Sequence, residues 1–367
     1  MMTVSGRYPK LIIDLKKLRH NVEKVREMCL DRGIELAGVV KGCTGLAECA
    51  GEFEKAGCRF IASSRIEQLE HLKEAGIKTP LMMIRTPMIS EAEEVVKVAE
   101  LSLNSEVETL RSLDRYAGKL GKRHKVILMA DLGDLREGFW DTGELEKAAL
   151  TVEGDLCNLE LAGIGTNLGC YGAIAATEEK LAELVETAEK IEKALGRRLE
   201  FISGGATSAL PRVIEGNIPD RINLLRIGEG ILLARDLQEL WGYDMSFMHR
   251  DVFSLQAEVI EVKDKPTYPV GEIMFDAFGN KPVYEDRGIR KRALLALGKV
   301  DYAFPEELVP RQKGIKVLGA SSDHTILDVE EMETPPSVGD ILEFDLRYAT
   351  IVYLTNSESI EKVYIRK

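Results

Sequence analysis

Residues 36–44 read Leu-Ala-Gly-Val-Val-Lys-Gly-Cys-Thr: a short apolar run, Leu36–Val40, closed by Lys41 and a turn. An apolar run this short, with no polar alternation, suits a strand buried on both faces, as in a parallel sheet. The same pattern recurs downstream at Phe60–Ser63, Leu81–Ile84, Leu101–Leu103, Val126–Ala130, Leu159–Ile164, Phe201–Ile202 and Leu224–Ile227. Amphipathic stretches lie between the runs. Upstream, Asp14 is placed to cap a helix whose apolar face is Leu15, Leu18, Val22, Val25 and Met28. Ile66, Leu69 and Leu72 repeat at helical spacing, and the Ala/Leu/Glu/Lys-rich segment from Thr177 to Leu195 ends at Gly196, a C-cap residue. Eight strands alternating with helices predict an α/β fold of the (β/α)8 TIM-type barrel over residues 11–240. The rival, a doubly wound open sheet, lacks its G-x-G-x-x-G turn after the first run.

After Trp241 the pattern changes. From Asp251 onward strand-like runs alternate with turns: Leu255–Val262, Ala293–Leu297, Ile315–Leu318, Thr325–Val329, Ile341–Phe344, Thr350–Leu354 and Lys362–Ile365. Gly, Pro, Asp and Asn punctuate them, as in GEIMFDAFGNKP and TPPSVGD. Residues 241–367 are expected to form a C-terminal all-β domain. Lys10–Ile13, in or just after residues 1–10, is a candidate strand donated to it from the N-terminus.

Composition narrows the function classes. The 367 residues carry a formal net charge of −12, the wrong sign for a general binder of nucleic acid or acidic membrane. The six cysteines form no C-x-x-C pair and are expected to be reduced thiols; for Cys170 the alternatives are a thiol facing the barrel mouth and a buried thiol, and a buried one is expected. Five histidines without clustering argue against a metal site. No apolar run approaches the ~20 residues that span a bilayer, and the first residues lack the apolar core of a signal peptide. A cytoplasmic protein is expected.

A barrel carries its chemistry at the C-terminal ends of its strands. Lys41 follows the first run directly; partly desolvated there, its amine becomes a competent nucleophile. A lysine snorkelling into solvent is the alternative. The fifth run leads into DLGDLREGF, with Arg136, and the sixth into GIGTN, with Asn167. The seventh leads into SGGATSA, a glycine-rich turn whose Thr207 and Ser208 open a helix and suit a phosphate, or simply cap that helix. The eighth ends in LLRIGEG, with Arg226.

VVKG, DLGDLREGF, GIGTN, SGGATSA and LLRIGEG, in this order and spacing, resemble the alanine racemase-like, fold-type III pyridoxal 5′-phosphate (PLP) enzymes. KGCTG, GIGTNLGC and GASSDH are most similar to the ornithine racemase-type branch of amino-acid racemases. The resemblance spans the barrel and extends more weakly into the β domain. It implies Lys41 as the Schiff-base lysine and one acid/base at Cα, Thr207 and Ser208 on the cofactor phosphate, Arg226 against the pyridine nitrogen, and Arg136 on the substrate side. It also implies a homodimer with shared active sites. An arginine at position 226, charged at any accessible pH, favours a racemase over a decarboxylase, which uses a carboxylate there. Glu229 is the nearby residue that a slipped alignment would put in its place.

The match departs from the family at the second acid/base. The family tyrosine falls on Lys299, with Tyr302 three residues on, and the histidine that supports it falls on Asn167. Lys299 and Tyr302 are both candidates. Asp323 falls on a substrate-side loop, where a carboxylate suits the cationic side chain of ornithine or lysine; Tyr348 falls where the family has a substrate- or phosphate-side tyrosine. The purely structural alternatives are a turn-capping Asp323, a surface Lys299, a packed aromatic at Tyr302 and a strand aromatic at Tyr348. The resemblance thus implies a racemase of a free, basic amino acid. Three rivals stand beside it: a fold-type III decarboxylase, a PLP carrier protein, and a barrel enzyme that uses Lys41 without PLP.

Overall fold

A computed structural model describes residues 6–366. The chain divides into two compact units, one of Leu18–Met248 and one that joins the described residues through Lys17 to the chain from His249 onward.

The first strand, β1 (Lys10–Asp14), belongs to the second of these units. Residues 1–5, part of the segment expected as an added strand, lie outside the described residues. Asp14 caps the following helix, Leu15–Leu30: its Oδ1 accepts the amides of Lys16 at 3.1 Å and Lys17 at 3.0 Å.

Eight strands then close a parallel barrel: β2 (Glu35–Val39), β3 (Phe60–Ser63), β4 (Leu81–Met83), β5 (Leu101–Asn104), β6 (His124–Met129), β7 (Leu159–Gly165), β8 (Phe201–Ser203) and β9 (Leu224–Ile227). Every one of the eight apolar runs is a barrel strand. The interior is filled by Ala37, Val39, Phe60, Met82, Leu103 and Met129 among others, alternate residues of each strand as the pleat requires. Phe60 and Phe201 meet edge to face, ring centres 5.7 Å apart. Two glycines are steric necessities. A Cβ on Gly38 would stand 2.2 Å from the Phe53 ring, and one on Gly163 would stand 2.0 Å from the carbonyl of Phe201 on the neighbouring strand. Thr177 caps the helix Glu178–Leu195, which ends at Gly196 with φ +68°.

The second unit is a sheet of eight strands, in the order β12 (Val309–Pro310), β15 (Ile341–Asp345), β10 (Phe253–Pro266), β11 (Ile289–Leu295), β14 (Thr325–Asp328), β13 (Lys316–Ala320). β1 runs antiparallel to β10 and parallel to β16 (Glu361–Ile365). One expected strand is a helix: Thr350–Leu354 lies inside Tyr348–Asn356. Its β-branched residues suit a strand, yet the buried positions Thr350, Ile351, Leu354 and Thr355 share one helical face. Arg347 N–H donates to Thr350 Oγ at 2.9 Å and starts the helix. Packing has overridden local preference.

Among the described residues, no helix is long and apolar enough to cross a membrane, no cluster of His, Cys, Asp and Glu could hold a metal ion, and all six cysteines are free thiols.

Candidate active site

The pleat that turns Ala37 and Val39 into the barrel leads next to Lys41, just past the C-terminal end of β2. Burial lowers the affinity of its amine for a proton. Cys170 and Glu137 oppose that shift; Arg136 and Arg226 add to it. These four groups, from three loops and strands, are the polar surroundings of the amine.

Arg226 projects inward from β9 and is 4% exposed. One terminal nitrogen donates to Ser203 Oγ; the other donates to the carbonyl of Thr166 at 2.7 Å. Among the described residues it has no carboxylate partner. Burial brings its pKa down to about 10, so it remains a cation at neutral pH. Glu229, the residue that a slipped alignment would substitute, is engaged elsewhere: its Oε1 accepts the amides of Arg235 at 3.2 Å and Asp236 at 3.3 Å.

The two hydroxyls of the glycine-rich turn differ. Thr207 Oγ1 accepts the amide of Gly230 at 3.1 Å, which leaves its own proton to give. Ser208 Oγ donates to the carbonyl of Leu168 at 2.6 Å, which spends its proton. Gly205, at φ +119°, makes the turn possible. Beside it Asn167 holds a buried side-chain Nδ2 with no hydrogen-bond partner, an unmet donor.

Arg136 pairs with Glu137, Nη2 to Oε1 at 2.6 Å, and lies within reach of the Cys170 thiol. Cys170, expected to be buried, is exposed. The loop that carries it is pinned backbone-first to Asp134, so the thiol is left at the surface. The sequence offers a place facing the barrel mouth as the alternative for Cys170, though a buried thiol is expected. Asp134 and Glu137 are the members of this cluster that the sequence did not mark. Only the recurrence of charged side chains within DLGDLREGF hinted at them.

The structure thus brings together Lys41, Arg136, Asn167, Thr207, Ser208 and Arg226 at one end of the barrel. The remaining candidates belong to the β unit. Tyr302, offered as an acid/base, is fully buried there; its hydroxyl meets Thr325 Oγ1 at 2.5 Å, and burial pushes it up to about 12. It is a packed core aromatic, because Thr325 and the surrounding strands give its hydroxyl an internal partner. Lys299 lines a cavity of about 740 Å3 with Arg292, Lys316, Asp276 and Phe278, its Nζ 4.2 Å from the centre of the Phe278 ring. Asp323 is exposed in the turn between β13 and β14, where Ser321 N–H donates to the carbonyl of His324 at 2.9 Å. Tyr348 is half-buried at the first turn of its helix and is not the strand residue that the sequence allowed.

The chain is similar to known proteins in sequence and in fold. The alanine racemase N-terminal domain matches residues 13–236. Over 355 residues the chain is 41% identical to ornithine racemase of Acetoanaerobium sticklandii, covering 97% of this chain and 99% of that one. Over 357 residues it is 42% identical to lysine racemase of Thermotoga maritima, covering 97% and 98%. Its fold is that of alanine racemase from Streptomyces lavendulae, with a TM-score of 0.77 at 19% identity over 99% and 98% of the two chains. It also matches the alanine racemase of Bartonella henselae solved with covalently bound pyridoxal phosphate, with a TM-score of 0.74 at 17% identity over 98% and 100%.

Proposed function

This chain belongs to the alanine racemase family, and we propose that it interconverts the L and D forms of a free basic amino acid, ornithine or lysine, with PLP as cofactor. The carrying observation is Lys41, a partly buried amine at a barrel strand end, grouped with a buried Arg226 that has no carboxylate partner among the described residues.

The residues present fit the cofactor. Lys41 would join its aldehyde. Thr207, with a proton still to give, and the backbone of the Gly204–Ala209 turn would hold its phosphate; Ser208, whose proton is spent on Leu168, would hold the turn in shape. Arg226, fixed by Ser203 and Thr166, would present N–H donors to the ring nitrogen and no proton acceptor. When bound, the cofactor draws electron density from Cα and makes its proton acidic. Lys41, its proton affinity lowered by burial, then takes or returns that proton on one face. Lys299 is the retained candidate for the opposite face. A cationic arginine, which cannot take up a proton, supports rapid return of the proton over loss of CO2. Glu229, bound to backbone amides, does not supply the carboxylate that a decarboxylase asks for.

A cytoplasmic homodimer is part of the same proposal; the homodimer rests on family resemblance and the location on the unpaired cysteines and the apolar patterning of the sequence. Asp323 and Tyr348 are the β-unit candidates for reading the substrate side chain.

The test is borohydride reduction of the PLP-loaded protein, followed by peptide mapping and by chiral chromatography of ornithine and lysine. A pyridoxyl group on Lys41, racemisation of a basic amino acid and its loss in Lys41→Ala are expected. Near-normal racemisation by Lys41→Ala would overturn the scheme; CO2 release instead would favour the decarboxylase.

A further inference from the structure

We propose that Asp134 is a positioning residue of this site: by binding the backbone of residues 169–172 it fixes the Cys170 thiol beside Arg136 and Lys41. The proposal deepens the racemase reading, since it takes Lys41 as the working amine.

Asp134 is 1% exposed, and among the described residues it has no cationic partner. Its charge is met by amides alone. Oδ1 accepts from Gly169 at 2.9 Å and Gly172 at 3.1 Å; Oδ2 accepts from Tyr171 at 2.9 Å and Cys170 at 3.3 Å. Four successive N–H groups turned inward form a concave anion nest, and the carboxylate fills it. Burial by itself would raise the carboxyl; the amides more than offset that and hold it below its ordinary range. The loop has no other regular structure to organise it, so this carboxylate sets its course.

The residue types of GCYG fit the clamp. A Cβ on Gly172 would lie 2.8 Å from the carbonyl oxygen of Asp134, and one on Gly169 would lie 3.1 Å from Ser208 Cβ. The loop therefore runs flush against Asp134 on one side and the Thr207–Ser208 turn on the other. Ser208 ties down the next residue back, through the Leu168 carbonyl. What results is a fixed meeting of two segments. Arg136 and Glu137 follow Asp134 on its own loop, Cys170 sits on the loop it binds, and both face Lys41 together with Arg226 from β9. Cys170 acts on Lys41 in the direction opposite to burial, so a displaced loop changes the amine as well as the local backbone.

Asp134→Asn keeps the shape and inverts half the polarity, because its NH2 group faces two N–H donors. The test uses the full-length chain as wild type, Asp134→Asn, Cys170→Ala and the double variant. Hydrogen exchange reads the loop, and reductive methylation of Lys41 by formaldehyde across pH, mapped by mass spectrometry, reads the amine without cofactor. In Asp134→Asn, exchange at 169–172 is expected to rise about tenfold or more with the barrel strands unchanged. The Lys41 midpoint should move to lower pH in both single variants and no further in the double. In racemisation, kcat should fall more than KM rises. An opened loop with an unmoved Lys41 midpoint, or an unopened loop, overturns the proposal. A shifted midpoint in a protein that does not racemise would leave the positioning role standing and sink the racemase reading instead. If Asp134→Asn does not fold, Gly172→Ala displaces the loop with Asp134 intact and must move Lys41 in the same direction.

Discussion

Thr207 and Ser208 are adjacent, chemically alike and assigned to the same phosphate, yet their hydroxyls have opposite uses. The sequence shows two hydroxyls after a glycine turn. It does not show that Gly230 N–H occupies the lone pair of one and Leu168 the proton of the other, because those partners come from distant segments. Thr207→Ala is expected to weaken PLP binding about ten- to hundredfold, the worth of one hydrogen bond to a charged group, whereas Ser208→Ala should weaken it less. Fluorescence titration with PLP checks the order. Glu229 offers a second single-residue test. Burial, assisted by Asp236, pushes its carboxyl from 4.5 up to about 7, and its buried Oε2 has no hydrogen-bond partner. The folded state therefore holds this proton more tightly than the unfolded chain, and stability contributed by the protonated form is lost as pH rises from 4.5 through about 7. Glu229→Gln should lessen the fall in urea-unfolding free energy across that window. An unchanged slope would mean that the carboxyl titrates normally.

Elements were legible where a single period governed them. Each barrel run is short and apolar because both faces of a parallel strand are covered, so the eight strands stand out in the sequence. Thr350–Leu354 failed for the converse reason: Thr, Ile and Val favour a strand locally, while the burial of positions 350, 351, 354 and 355 follows a helix. The Thr350 hydroxyl both accepts the Arg347 amide and donates to the Arg347 carbonyl, at 2.9 and 2.7 Å. Thr350→Val, which keeps the shape and removes both bonds, should destabilise the β unit by about 1–2 kcal/mol in denaturant unfolding. The loops at the barrel's end were least legible. The Asp134 clamp joins DLGDLREGF to GCYG across tens of residues, and no periodicity marks a loop that is organised by a single carboxylate.

At the scale of the whole molecule, the informative feature is that the β unit is built from both ends of the chain. β1 lies between β10 and β16, and Lys10, Leu11 and Ile13 are fully buried in it. KLIID precedes the first barrel helix in sequence, yet it is the strand donated to the β unit, as its position before that helix leads one to expect. Its true neighbours are remote in the chain, and only their exposed hydrogen-bonding edges call for it. Removing it leaves β10 with an unpaired edge, takes from β16 its strand partner among the described residues, and deletes the buried side chains of Leu11 and Ile13. The barrel strands lie wholly within Leu18–Met248 and lose no strand partner. A chain that begins after Asp14 should therefore keep the barrel and lose the β unit. Limited proteolysis should cut it first beyond Met248 and leave a resistant fragment that still takes PLP at Lys41 under borohydride. Equal resistance across both units would show that the β unit closes without its N-terminal strand, and the two ends of the chain would then be independent. Loss of the barrel fragment as well would show that barrel stability depends on the β unit.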